Sequence, residues 1–177
     1  MSRILIAYFS RPKTVGIDGE SGLSRKGTTE QVADRLQSLT GADVYRIYAD
    51  RVYTDNADKL GEESKIEKET GARPSVKGPL PDISGYDTVI LAYPIWHGTV
   101  PMVVRTFLES LDFSGKVIIP VATHEISRMG DSEQDIQASA PAAQLLPGTA
   151  VLATVLKKAE DAMAGIAEVA EHPQDFL

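Results

Sequence analysis

Cysteine is absent from the 177 residues, which removes disulfides, iron–sulfur clusters, thiolate zinc sites and cysteine nucleophiles together. Basic residues are in the minority as well: 18 Lys and Arg face 25 Asp and Glu, a net charge of −7. A duplex-binding protein needs a basic stripe to displace counterions. The densest basic clusters here, Arg25-Lys26 and Lys157-Lys158, hold two residues each, so nucleic acid is not an expected partner. Long apolar runs are missing too. No stretch approaches the ~18 residues of a spanning helix. The opening Met1-Ser2-Arg3, followed by apolar residues only over 4–7, lacks the length and cleavage pattern of a signal peptide. The expectation is a soluble cytoplasmic protein without a membrane partner. The three histidines, His97, His124 and His172, show no paired metal spacing, and no metal is expected.

What is present suffices for one compact domain over 1–177. Domains run to roughly 100–200 residues, and a chain of this length with 42% hydrophobic residues can bury a core without staples. Three continuous apolar runs, over 4–9, 88–93 and 116–122, are short, rich in Val, Ile and Tyr, and bounded by turn residues. Such runs suit strands buried on both faces of a parallel sheet. Weaker runs at 43–47 and 150–156 bring the expected strands to five. Helical periodicity separates them: 29–39 places Val32, Leu36 and Leu39 on one face, 103–111 places Val104, Phe107, Leu108 and Leu111, and 157–170 follows the last strand. This alternation predicts an α/β doubly wound sheet with right-handed crossovers. Residues 11–27 read as a long loop after the first strand. Residues 55–69 alternate acids with lysines and read as a solvated helix.

In an open parallel sheet, ligands bind beyond the carboxyl ends of the strands where the strand order reverses. The loop after the first strand ends at Gly27-Thr28-Thr29-Glu30 and runs into a helix, with Ser10 at its other end. Free N–H groups at a helix start, joined by three hydroxyls, make an anion site; an ordinary helix cap is the competing reading. Residues 22–29 carry the glycine spacing of a nucleotide P-loop but have Thr28 where its lysine belongs. The loop Y-P-I-W-H-G-T-V-P from Tyr93 holds the only tryptophan, Trp96, either stacked on a flat ligand or partly buried in the ordinary way. The loop from Thr123 is rich in polar groups, but no G-x-S-x-G elbow supports a hydrolase triad.

Taken in order, I-L-I-A-Y-F-S, G-T-T-E-Q-V-A, Y-P-I-W-H-G-T-V-P and D-F-S-G-K-V-I-I-P-V-A-T-H-E resemble the flavodoxin-like family, over about residues 3–136. The likeness is to larger bacterial flavodoxins with an insertion in the phosphate-binding loop. The resemblance implies a five-stranded parallel sheet in the order 2-1-3-4-5, helices on both faces, and FMN as cofactor. It places Ser10, Thr28 and Thr29 at the phosphate, with Arg11 and Gly27 beside them. Pro94, Ile95, Trp96, His97 and Gly98 would line one side of the isoalloxazine, and Thr123, His124, Glu125 and Ser127 the other. Two departures stand out. His97 occupies a position often held by a second Trp and would either contact the ring in its place or point to solvent, and Ile126 and Arg128 replace glycines. The implied function is electron transfer or FMN-dependent oxidoreduction, with redox proteins or a small-molecule electron acceptor as partners. The alternative is a non-redox module of the same fold that binds another phosphorylated ligand or none. A phosphoacceptor domain is disfavoured, because the first strand ends in Tyr8-Phe9-Ser10 with no aspartate.

Overall fold

The computed structural model describes residues 3–11, 26–54, 56–153 and 159–177. Its elements run β1 (Ile4–Phe9), α1 (Thr28–Thr40), β2 (Asp43–Ile47), α2 (Ala57–Thr70), β3 (Thr88–Pro94), α3 (Met102–Glu109), β4 (Val117–His124), α4 (Ser132–Ser139), β5 (Gln144–Leu145), β6 (Thr149–Leu152) and α5 (Glu160–Glu171), closed by a 3-10 turn at Pro173–Phe176. The strands form one parallel sheet in the order β2-β1-β3-β4-β5, with β6 also paired to β4. This is the expected flavodoxin-like order. Among the described residues no helix is long and apolar enough to cross a membrane. Most of the loop expected at 11–27, including the glycines from Gly16 to Gly22, lies outside the described residues. So do Arg25, Lys157, Lys158 and the expected strand end at 154–156.

Alternate residues of each inner strand serve two cores, which is why their runs are continuously apolar. From β1, Ile4, Ile6 and Tyr8 pack with Val32 and Leu36 of α1 and with Met163 and Ile166 of α5. Leu5, Ala7 and Phe9 turn to the opposite face, among Val103 and Phe107 of α3 and Ile136 of α4. Helix α1 forms because Thr29, Val32, Ala33 and Leu36 make one buried stripe. It stops at Gly41, whose φ of 66° is the left-handed cap and whose N–H bonds Gln37 O at 2.8 Å.

The fifth position in the sheet differs from the single strand expected at 150–156. Val117 pairs with Gln144 while Val121 pairs with Thr149, so four steps along β4 face five along the edge. The extra residue falls at Leu146-Pro147-Gly148, opposite Pro120, where neither proline can donate a ladder hydrogen bond. A side chain at Gly148 would run into Met129 Cε and the Pro120 ring. Helix α4 had no sequence expectation; Ile136 is its only large apolar anchor, too little to set a period.

Asp55 lies outside the described residues, and the stretch expected as a solvated helix over 55–69 forms α2 from Ala57 onward, a helix not solvated all round. Its Leu60, Ser64 and Glu67 are buried one turn apart, on a face turned inward. The apolar count of that face is one residue, so its burial does not show in hydrophobic periodicity.

Candidate functional site

Strand order reverses between β1 and β3, and α1 and α3 leave these strands on opposite faces of the sheet. A cleft must open between the two departing connections. It measures about 290 Å3 and is lined by Ser10, Arg11, Thr28, Thr29, Pro94, Ile95, Trp96, Thr123, His124, Glu125 and Ser127, all expected from sequence. Leu60, Ile126 and Ala153 complete the lining. Of the expected residues, Gly27, His97 and Gly98 are not in that lining.

Gly27 stands behind one end of the cleft. It is the N-cap of α1 yet has no side chain to cap with, and the Ser10 hydroxyl from the end of β1 accepts the Glu30 N–H at 3.2 Å instead. The cap is therefore supplied across the chain rather than by the Thr of the G-T-T-E run. A Cβ at Gly27 would overlap Ser10 Oγ and Arg11 O, so glycine lets β1 and α1 close on each other. With Glu30 N–H taken by Ser10 and Gln31 N–H by Gly27 O, the Thr28 and Thr29 N–H groups have no partner among the described residues. Two free donors at a helix start attract negative charge.

The surrounding charges reinforce that. Arg11 lines the cleft, spending one donor on Thr54 O at 2.6 Å. Glu30, the acid of the first helical turn, is paired to Arg46 at 3.1 Å, so it does not present an unopposed negative charge beside the free N–H groups. Arg46 also donates to Ser10 O at 3.3 Å and lies over the Tyr8 and Tyr48 rings. Thr29 spends its hydroxyl on Thr123 Oγ1 at 2.7 Å, tying α1 to the end of β4.

The other end of the cleft is aromatic and apolar. Trp96 begins a two-residue hairpin: its N–H and C=O pair with Thr99, and the residues between, His97 and Gly98, have φ of 48° and 76°, the positive pair of a type I′ turn. The turn directs His97 away from the cleft. Its Nε2 meets Gly61 O of α2 at 2.6 Å, and its carbonyl accepts from Lys68 Nζ at 2.8 Å. The expected ring contact through His97 is thus not in the described geometry, because the same turn that exposes Trp96 to the cleft points the next side chain at α2. Trp96 is held edge-on by Phe9 at 5.3 Å and Tyr53 at 5.1 Å between ring centroids. Burial and the nearby Glu67 carboxylate push the Tyr53 phenol well above its usual range, which keeps it a neutral donor.

The loop after β4 closes the third side. Ile126 is 90% exposed at the cleft mouth, and Arg128, with φ of 51°, adopts the glycine-like conformation of the position it fills. Asp131 N–H bonds Gly98 O at 2.7 Å, docking this loop on the Trp96 hairpin. Thr99 Oγ1 donates to Asp135 of α4, which also pairs with Arg105. His124 carries a buried Nδ1 with no hydrogen-bond partner among the described residues. Of the residues sequence reasoning missed, Leu60 and Tyr53 carried no local signal, while Ile126 was visible as a departure from glycine.

Among the described residues no cluster of His, Asp or Glu could hold a metal ion. A family model described as flavodoxin matches residues 20–165. Among solved structures, one from Bacteroides eggerthii, named as a candidate flavoprotein, is 27% identical, with 93% of this chain and 99% of that one covered and a TM-score of 0.69. Another from Bacteroides uniformis, named likewise, is 26% identical over 92% and 97%, with a TM-score of 0.73. A flavoprotein of Lactobacillus acidophilus, solved in complex with FMN, shares the fold at 14% identity over 93% and 99%, with a TM-score of 0.64. No curated protein matches the chain.

Proposed function

The chain belongs to the flavodoxin family, and on that premise we propose that it binds FMN in the cleft at the ends of β1, β3 and β4 and serves in electron transfer or flavin-dependent oxidoreduction. The observation that carries the reading is the split chemistry of the cleft: two N–H groups without a partner among the described residues and the Thr28 hydroxyl at one end, an indole with Ile95 and Leu60 at the other. FMN divides in the same way, into a doubly charged phosphate and a flat aromatic ring. The donor set fits that group; a purely apolar ligand would leave the start of α1 unsatisfied. The relative of Lactobacillus acidophilus that was solved with FMN lends further support.

When bound, FMN supplies one- and two-electron redox chemistry; the protein binds, orients and tunes it. Thr28 and Thr29 N–H, the Thr28 hydroxyl and Arg11 would hold the phosphate. Ser10, already engaged with Glu30 N–H, keeps the helix start aimed at it. Trp96 would wall the ring on one side, while Glu125, Ile126 and Ser127 border it on the other. The −7 net charge favours basic redox partners, whose approach it would accelerate at low salt.

Titration of the protein with FMN and with riboflavin tests the reading. FMN is expected to bind tightly and riboflavin more weakly by at least about tenfold, since charge-assisted hydrogen bonds to a phosphate are worth more than ~1.5 kcal/mol in total. Equal affinities would remove the phosphate assignment. Absence of binding by either would favour the non-redox alternative.

A further inference from the structure

Glu67 is a carboxylate on α2 that the flavin reading leaves without a task. It is 4% exposed, and both its oxygens are engaged: Oε1 accepts from Arg51 Nη1 at 2.6 Å and Oε2 accepts from the Tyr53 hydroxyl at 3.1 Å. Arg51 also lies over the Tyr53 ring, 4.7 Å from its centroid. Tyr53 therefore has its ring covered by a cation and its hydroxyl tethered by an anion. Its edge contact then falls on Trp96, with the ring planes 78° apart. Phe9 closes the triangle, 6.2 Å from Tyr53 and 5.3 Å from Trp96. Glu67 and Trp96 also line one narrow crevice under α2, with Ser64 and Thr99.

We propose that Glu67 is a positioning residue for the cleft: acting through Tyr53, it fixes the plane of the Trp96 indole against which the ligand ring lies. A buried carboxylate is a poor way to fill space, because an apolar side chain of the same size avoids the desolvation cost. What it adds is direction. A hydrogen bond has a preferred line, whereas an apolar contact leaves a ring free to slide and rotate. Among the described residues Tyr53 lies in a coil between β2 and α2 and takes no part in the sheet's hydrogen-bond ladder, so the tether is what gives its ring a fixed angle. Lys68, the next residue of α2, donates to the His97 carbonyl beside Trp96, and Gly61 O meets His97 Nε2, so α2 also grips the hairpin directly.

The indole wall is proposed here as a flavin wall, so this inference rests on the FMN reading, but the link from Glu67 to Trp96 can be tested without ligand. Trp96 is the only tryptophan, so its emission and the long-wavelength indole band of the near-ultraviolet dichroism, beyond the tyrosine absorption, report that site. Glu67→Gln and Tyr53→Phe keep the shapes and weaken the tether. Met163→Ala, buried on the opposite face of the sheet, is a control for general loss of stability. In the ligand-free full-length protein, both tether variants are expected to raise acrylamide quenching of Trp96 and to flatten its dichroism, while Met163→Ala lowers the melting temperature without either change. FMN affinity should fall by about two- to tenfold in both tether variants, the range that an edge contact between aromatic rings is worth.

Unchanged Trp96 signals in both variants would overturn the link whatever FMN does. A changed Trp96 signal with wild-type FMN affinity would overturn the positioning role. If wild type binds no FMN while the Trp96 signals move, the flavin reading fails and the tether stands as the device that orients Trp96. Should Glu67→Gln not fold, Tyr53→Phe alone decides, because it leaves the Arg51 pair in place.

Discussion

Glu67 illustrates how burial and pairing compete at one carboxyl. Arg51 and the Tyr53 hydroxyl both pull its pKa down, yet desolvation outweighs them and holds it above the ordinary carboxylate range. Arg51 is 38% exposed, so water screens that half of the pair, and its worth lies below the ~3–5 kcal/mol lost when a fully buried pair is broken. The sign of the pH dependence follows. A carboxyl with a raised folded pKa binds its proton more tightly in the folded state, so its contribution is full below the unfolded value of about 4.3 and is lost as pH rises through the folded value. Relative to Glu67→Gln, wild type should therefore lose stability as pH climbs from about 4 toward neutrality, and then level off. Urea midpoints of both proteins across that range check it. A wild type that gains on the variant as pH rises would show that pairing, not burial, sets this carboxyl. His97, by contrast, answers to the backbone: the positive φ pair at 97 and 98 points it at Gly61 O, and its neighbour Trp96 is what the turn leaves in the cleft.

At the scale of elements, the decisive junction is where β1 ends and α1 begins. Gly27 has φ of −62°, open to any residue, so its glycine is required by space and not by conformation. Gly27→Ala must push Ser10 away from the start of α1, breaking the Glu30 N–H bond that stands in for an N-cap. We expect a loss of roughly 1–3 kcal/mol from overpacking, together with a weakening of FMN larger than that of riboflavin. Urea denaturation and the two flavin titrations measure both. Wild-type values in each would mean that the junction relaxes and that Ser10 is not needed where it stands. Helix α2 shows the converse case. Its charged pattern reads as solvated, and most of it is, but Leu60 reaches the cleft and Glu67 anchors Tyr53. One polar inner face, held by hydrogen bonds, carries no hydrophobic period.

For the molecule as a whole, charge is the property that a bound flavin would feel most. Acids outnumber bases by seven, and of the arginines near the cleft Arg46 is paired with Glu30 and Arg51 with Glu67, which leaves Arg11 as the cation in the cleft lining, assigned above to the phosphate. Arg128 is exposed on the loop after β4 with no ion pair among the described residues. Negative charge added to a bound flavin by reduction is therefore opposed by the protein's own field, and the potential of the last electron should lie below that of free FMN. Raising the salt concentration should bring it part of the way back, since a Debye length of about 8 Å at physiological ionic strength shortens further. Anaerobic titration at two ionic strengths measures this. A bound potential at or above the free value would mean that local hydrogen bonds outweigh the global charge.

The sequence by itself determined the strands buried on both faces, because continuous Val- and Ile-rich runs at 4–9, 88–93 and 116–122 have one stable use in a sheet covered by helices. It determined the alternation of strand and helix, and with it the loops that gather beyond the carboxyl ends of the strands. Eleven of the fourteen expected site residues line one cleft for that reason. Other features depend on residues far apart in the chain, and no local pattern encodes them. The break in the edge strand is set by Pro120 and Met129 facing Gly148. The cap of α1 comes from Ser10, twenty residues before the N–H it accepts. The setting of Trp96 depends on Phe9, Tyr53 and Glu67, which meet only once β1, the coil after β2 and α2 have packed on the hairpin. Local periodicity records which face of an element is buried; which neighbour it is buried against is fixed only when the chain closes on itself.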